Sequence, residues 1–445
     1  MIRIRNFFLT FSVTTLALFS QSIAQGIAQN TQNASQGESG LLQKATNVSQ
    51  GLSEDSSNIT LPEAMTVDID SLLNEWKAKN YIYPDTTCAQ PDVNPTYDTI
   101  VYQQRLARIP AVMELPYNDV VRKYIDQYTT KQRNSVAYML GAGNFYIPIF
   151  EEALDFYGLP LELKYLPVIE SALNPVAKSK VGATGLWQFM LQTGKRYGLE
   201  VNSLVDERCD PLKATWAAAR YLKDLYNIYG DWSLVIAAYN CGPGNVSKAI
   251  HRANGVKDYW TIYPYLPNET RGYVPAFIAA NYIMNYYCEH NICPMKTKIP
   301  IATDTVVVSR DIHINQIVAY CNISKEAIKS LNPQYKTDII PGNSEPRVLR
   351  MTQQAILEFV DHADSIYAYQ ADQLLTRRTT VPIKEATYKT TTKKKSSYTK
   401  NYYKGSKTKY KKGYTYSKKK STYTKKKSTY TKKKGKTSSK GKKRR

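Results

Sequence analysis

The chain has 445 residues, 60 of them Lys or Arg and 37 Asp or Glu, for a formal net charge of +23. Residues 381–445 hold 26 of the bases and one acid, Glu385, so this segment carries +25 and the rest of the chain −2. A near-neutral body excludes a basic folded face as the source of the high isoelectric point, which belongs to the tail alone.

At the N-terminus, Arg3 and Arg5 precede an apolar run from Phe7 to Phe19, and Ser22-Ile23-Ala24 offers a small-x-small cleavage site. Residues 1–24 read as a secretory signal peptide, since the run is short for a bilayer span. No cysteine precedes Cys88, so an N-terminal lipoprotein is not expected. Residues 25–65 are rich in Gln, Asn, Ser and Gly and read as a flexible linker. Residues 66–155 read as a helical flank in which Val120, Val121, Tyr124, Ile125 and Tyr128 form one stripe, with an extended stretch over 92–97 before it.

Next comes the segment around Glu170. Leu159, Leu163, Leu166, Glu170 and Leu173 follow a four-three-four-three spacing, which predicts one helix face. Pro160 is placed to start that helix, Asn174-Pro175 to stop it, and Pro167 to kink it. A carboxyl group on an apolar stripe is desolvated, and desolvation raises its pKa. A proton is then available near neutral pH for general-acid work. The stripe alone fits a buried, paired structural carboxylate equally well.

Two further blocks follow. Gly182-Ala183-Thr184-Gly185-Leu186-Trp187-Gln188-Phe189-Met190 reads as a tight loop entering a short helix at Leu186. Trp187 and Phe189 are expected in the core, Gln188 and Met190 at a cleft. Asp231 caps an apolar helix from Trp232 to Tyr239, and Gly242-Pro243-Gly244 ends it, leaving Tyr239 and Asn240 at its end.

Of the six cysteines, Cys288 and Cys293 are spaced to pair across a short loop if they are not free thiols. A metal reading of Cys288, His290 and Cys293 lacks a fourth ligand. Neither a metal nor a cofactor is expected. Over 303–352 the order is a strand from Thr305 to Val308, helices Ile314–Tyr320 and Lys325–Leu331, and a strand from Arg347 to Met351. Residues 378–445 repeat Lys-Lys-Lys-Ser-Thr-Tyr-Thr units and read as a disordered basic tail. Lys interleaved with Tyr is also a nucleic-acid pattern, but a secretory signal argues against nucleic acid as partner.

The three ordered blocks around Glu170, Trp187 and Tyr239 resemble the catalytic domain of lytic murein transglycosylases, most closely the membrane-bound lytic murein transglycosylase D group. The resemblance runs from about Tyr117 to Tyr273. It includes Leu159 to Leu166, Thr193 to Leu199, Asp206 to Pro211, Ala217 to Leu222 and Glu269 to Val274. It implies a mainly α fold: a lysozyme-like helical catalytic domain over 156–295, acting on peptidoglycan glycan strands. It assigns Glu170 as the single acid/base, and Ser171, Gln188, Met190, Tyr239, Asn240 and Tyr273 as lining the sugar cleft. Cys241 departs from the family by standing where many relatives carry alanine. Residues 303–352 resemble a small βααβ LysM glycan-binding module, although Ser309-Arg310-Asp311-Ile312 replaces the usual Gly-Asp-Thr. The expected location is the bacterial periplasm or cell envelope, with the tail drawn to an anionic envelope surface. The implied reaction forms a 1,6-anhydro end. A goose-lysozyme-like hydrolase and a non-catalytic peptidoglycan-binding protein are the alternatives.

Overall fold

The computed structural model describes residues 60–74, 82–298 and 302–375. The expected signal peptide, most of the linker and the basic tail lie outside the described residues. Among those described, no helix is long and apolar enough to cross a membrane.

The first short strand, β1 (Ile82–Tyr83), pairs antiparallel with β2 (Lys296–Thr297), so the two ends of the helical body are joined. Between them run α1 (Thr99–Arg108), α2 (Asp119–Asp126), α3 (Arg133–Phe156), α4 (Leu166–Ser171), α5 (Leu191–Arg196), α6 (Pro211–Tyr229), α7 (Trp232–Cys241), α8 (Pro243–Arg252) and α9 (Tyr273–Tyr286). Helix α9 is buried all round from Tyr273 to Met284, as a helix without a polar face must be. It packs against α2, α4 and α7. The α2 stripe is buried as its spacing predicts, with Asn118 accepting from the Val121 N–H at the N-cap.

One core runs from Ala64 to Met295. The expected boundary between flank and catalytic segment, at 155/156, falls inside α3, whose buried residues belong to that core throughout. The flank is therefore part of the helical body rather than a layer added to it. The expected linker also ends early. Ala64 and Met65 are buried in the core, and the Thr60 carbonyl accepts from the Tyr124 hydroxyl at 3.1 Å.

The single helix expected from Pro160 to Leu173 is broken. A 3-10 turn spans Leu161–Tyr165, and α4 begins anew with Pro167 in its first turn. A proline there loses no hydrogen bond because the first N–H groups of a helix lack partners anyway. The helix stops at Ser171, short of the expected Asn174, because Ala172 and Leu173 adopt left-handed backbone (φ 50° and 60°). The four leucines of the stripe are nevertheless all buried.

The cysteine pairing differs from the short-loop alternative. Cys293 bonds Cys88, with Cα atoms 6.2 Å apart and a sequence separation of 205, and Cys288 is an exposed free thiol. His290 is buried between the Tyr282 hydroxyl (2.9 Å) and Asn94 Oδ1 (2.7 Å). The metal reading of this trio thus loses two of its three ligands to other partners. Closing so long a loop restricts the unfolded chain, so replacing Cys88 and Cys293 together by serine is expected to destabilise the body by about 2–4 kcal/mol. Urea unfolding with and without reductant measures this. A reductant-insensitive midpoint for the parent chain would mean that the pairing is absent.

The C-terminal unit contains β3 (Thr303–Val308), β4 (Ile312–His313), α10 (Ile314–Tyr320), α11 (Lys325–Leu331), β5 (Ile339–Ile340) and β6 (Arg347–Thr352). Strands β3 and β6 pair antiparallel over their full length, and β4 pairs with β5. Both helices match the sequence expectation residue for residue. The unit does not stop at 352: α12 (Gln353–Asp361) and α13 (Ala363–Ala368) follow, and Ala355, Ile356, Phe359 and Ile366 complete its core.

This unit is seated firmly on the helical body. Leu204 and Val205, from the body, enter its core. The Asp206 N–H donates to the Gln334 carbonyl at 2.8 Å, and the Lys336 N–H to the Leu204 carbonyl at 2.9 Å. Arg347 is only 3% exposed and lies 2.5 Å from Glu200, 2.5 Å from Glu345 and 3.9 Å from Glu207. The three carboxylates could in principle hold a cation; the guanidinium is that cation.

Candidate active site

Glu170 occupies the last turn of α4, behind buried Leu166, Val168 and Ile169. Its side chain is half-buried. Burial pushes its pKa up to about 7, against the pull of a hydrogen bond from the Tyr273 hydroxyl to Glu170 Oε1. This is the direction that the apolar stripe predicts. Tyr273 opens α9 and is 2% exposed. Burial, and then the nearby Glu170 charge, drive the phenols of Tyr273 and Tyr239 well above their ordinary range. Both therefore stay protonated and act as donors.

The block from Gly182 to Met190 forms a closed turn, with Thr184 and Phe189 exchanging both backbone hydrogen bonds at 3.1 Å. The helix expected at Leu186 begins instead at Leu191, because 185–188 are used to make the turn. Gly185 has φ 88°, and a Cβ there would collide with the Arg208 carbonyl, so only glycine fits. Trp187 and Phe189 are core, as expected, and the Trp187 indole donates to Thr215 Oγ1 at 2.9 Å.

The structure brings most of the expected site residues together, but not all as open lining. Tyr239 donates its hydroxyl to the Trp187 carbonyl at 2.8 Å, tying α7 to the turn. Ser171 is buried, and its hydroxyl bonds the Leu186 carbonyl (2.9 Å) and the Pro167 carbonyl (3.1 Å). It fastens α4 to the turn. Gln188 is half-buried with φ 48°, and its amide nitrogen donates to the Gly185 and Ala177 carbonyls at 2.8 and 3.2 Å. Both of its amide hydrogens are thereby committed. Met190 is 37% exposed. Asn240 is exposed at the end of α7, its Oδ1 accepting from Thr270 Oγ1 at 2.9 Å. Cys241 is half-buried, and burial raises its thiol pKa, which disfavours the thiolate needed by a nucleophile.

Sequence reasoning missed Arg208 as a support of this site. Its guanidinium is buried, pairs with Asp206 at 2.8 Å, and donates to the Gly182 and Phe189 carbonyls at 3.1 and 3.0 Å. It props both ends of the turn. No periodicity signals such a residue, because its partners are backbone carbonyls about twenty residues upstream.

Comparison with known proteins follows the same division. Residues 147–262 match the family model for the Transglycosylase SLT domain. Residues 302–368 match that for the Lytic transglycosylase MltD, LysM-like domain, which includes the two helices beyond 352. The chain is 30% identical over 258 residues to membrane-bound lytic murein transglycosylase D of Escherichia coli (strain K12), covering 57% of this chain and 55% of that protein. The chain thus spans about half the length of that relative. It is 34% identical over 124 residues to the soluble lytic murein transglycosylase of the same organism (26% of this chain, 19% of that protein). Peptidoglycan transglycosylase gp16 of Escherichia phage T7 is 34% identical over 120 residues (26% of this chain, 9% of that protein). One segment of the chain is thus similar to the Transglycosylase SLT domain and another to the LysM-like domain of lytic transglycosylase MltD, and these relatives are themselves named transglycosylases.

Proposed function

We propose that this chain is a peptidoglycan lytic transglycosylase that cleaves the β-1,4 bond between N-acetylmuramic acid and N-acetylglucosamine, with Glu170 as its only acid/base. The observation that carries the reading is a half-buried carboxyl group, raised to about 7 and held by Tyr273, inside the segment matched as an SLT domain. Glu170 protonates the leaving oxygen. The 2-acetamido carbonyl of the muramic acid supports the charge at C1, so no second carboxylate is needed. The Glu170 carboxylate then takes the proton from the C6 hydroxyl of the same sugar, which closes on C1 as a 1,6-anhydro ring. The closure is intramolecular, which favours it over attack by water.

The remaining residues take supporting roles. Tyr273 holds the carboxyl, while Met190 and Asn240 offer an apolar and a polar edge to the sugar. Ser171, Gln188 and Tyr239 fix the turn that forms one wall. The LysM-like domain binds glycan. The protein works in the periplasm or cell envelope, where the basic tail meets an anionic surface.

Mass analysis of products from purified peptidoglycan tests the reaction. Products one water lighter than reducing fragments are expected; reducing ends would make the chain a hydrolase. Tyr273→Phe offers a second test. The Tyr273 hydrogen bond favours the charged carboxylate, so its loss raises the Glu170 pKa and keeps the acid form to higher pH. The basic limb of the kcat/KM profile is expected to move up by about one pH unit, the equivalent of one hydrogen bond. A profile that stays in place or moves down sinks this role for Tyr273.

A further inference from the structure

A cavity of about 560 Å³ lies at the seam between the helical body and the C-terminal domain, outside the site just described. Tyr138, Ala142 and Tyr146 line one wall. They are four residues apart on α3 and so share one face of that helix. Lys325, Lys329 and Ser330 of α11, with Lys336 beyond it, line the other wall. Asn174, Pro175 and Val176 close one side.

Several contacts cross the seam. The Val205–Tyr335 bridge, the shared core around Leu204 and Val205, and buried Arg347 all cross it. The cavity is therefore bounded by segments that are bonded to one another across the seam. Its charge is also defined. Lys325 and Lys329 both sit 2.6 Å from the one carboxylate of Asp338. Lys336 reaches the Asn202 carbonyl at 3.2 Å, and the acid on this wall is Glu326. Three ammonium groups thus face two carboxylates, leaving the lip positive above an aromatic floor.

We infer that this seam cavity is a subsite for an acidic peptide, namely the peptide carried by the sugar whose bond Glu170 breaks. The inference rests on the transglycosylase reading of that site. Reach supports it. Asn174 stands four residues beyond Glu170, so their Cα atoms are at most about 14 Å apart. An extended peptide of four or five residues, attached through the lactyl group of a muramic acid at Glu170, spans about 14–17 Å. Its side-chain and terminal carboxylates match the Lys325, Lys329 and Lys336 ammoniums, and its backbone and methyl groups match the Tyr138, Tyr146 and Pro175 surfaces.

The test uses the full chain with Lys329→Ala and Lys329→Glu. Lys329 is exposed, and Asp338 keeps Lys325 as a partner. Two substrates are compared: peptide-bearing glycan strands, and the same strands stripped of peptide by an amidase. On peptide-bearing strands kcat/KM is expected to fall about threefold for Lys329→Ala and about tenfold for Lys329→Glu. Stripped strands should be cleaved by all three proteins at rates within twofold of one another. Equal losses on both substrates, or none on either, overturn the inference; equal losses would assign the cavity to glycan. Binding is measured separately on a Glu170→Gln background, titrating a soluble muramyl disaccharide with and without its tetrapeptide. The peptide is expected to tighten binding about tenfold in the Glu170→Gln chain and not at all once Lys329→Glu is added. Should the parent chain release no anhydro-ended product from any substrate, the transglycosylase reading fails, and this titration still decides for or against the peptide subsite.

Discussion

Under the proposed reaction, replacing Glu170 by glutamine is expected to lower the rate of anhydro-product release by at least about 10³-fold, within the range for loss of a general acid that also returns as base. Glutamine has nearly the shape of the protonated carboxyl and still accepts from the Tyr273 hydroxyl, so substrate binding should change little. The loss should therefore fall on kcat rather than KM. The same substitution has a consequence for stability that is independent of substrate. A carboxyl group raised to about 7 in the folded chain, against an ordinary value of 4.5, binds its proton more tightly when folded. That contribution is fully present below pH 4.5 and is lost as pH rises through 7. Above pH 7 the parent chain holds a charge in an apolar setting, and the glutamine variant does not. The variant is expected to match the parent at pH 4 and to exceed it by about 2 kcal/mol at pH 8, after discounting for partial exposure. Urea unfolding at the two pH values measures the difference. A variant that keeps its activity removes the catalytic role, while parallel stability curves remove the desolvation argument.

The legible parts of the sequence were those where local chemistry and burial agree. Helices α10 and α11 carry their own start signals: the His313–Gln316 capping box, and the Ser324 hydroxyl accepting from the Ala327 N–H. Asp231 does the same for α7, accepting from the Leu234 N–H at 2.8 Å. The spacing around Glu170 correctly put a carboxyl group against an apolar core even though the helix beneath it is broken. Leucines of a 3-10 turn and of a following α-helix can point to one core without sharing a helix face. Other features depend on contacts distant in the chain. Cys293 had a cysteine five residues away and bonds one 205 residues away. Pro243 ends one helix in its flanking sequence yet opens α8, since the first turn of a helix accepts proline. Ser171 and Gln188 were expected to line the cleft. Their side chains instead satisfy backbone carbonyls of the glycine-rich turn, because a loop so tightly folded has few backbone partners of its own. Arg347 read as an ordinary strand residue, because nothing in its neighbourhood shows that Glu200 and Glu207 arrive from the other domain.

Arg347→Ala is expected to destabilise the chain by about 3–5 kcal/mol, the range for removing one partner of a buried ion pair. Glu200, Glu207 and Glu345 offer oxygens within 4.8 Å of one another. Without the guanidinium, the Lys213 ammonium still pairs with Glu207, while Glu200 and Glu345 lose the cation they share. Burial pushes Glu200 up, yet Arg347 holds it below its ordinary value. A depressed folded pKa contributes stability above the unfolded value and loses it as pH falls through the folded one. In the variant the sign reverses, since crowded carboxylates without a cation favour protonation. The gap between parent and variant should therefore be widest near pH 7 and close toward pH 4. The effect should also reach the active site. Glu207 accepts from the Glu200 N–H at 2.8 Å, and it adjoins Arg208, which holds both ends of the Gly182–Phe189 turn. A fall in kcat larger than the unfolded fraction explains is expected. Substituting the whole cluster, with Arg347→Met, Glu200→Gln, Glu207→Gln and Glu345→Gln together, leaves no buried charge unpaired and should restore most of the stability. Recovery of stability without recovery of rate would separate the seam's role as a clamp from its role in shaping the turn beside Glu170. If Arg347→Ala alone unfolds at the parent's urea midpoint at pH 7, the buried clamp contributes nothing, and the two domains are held by the Leu204 and Val205 core contacts and the backbone hydrogen bonds beside them.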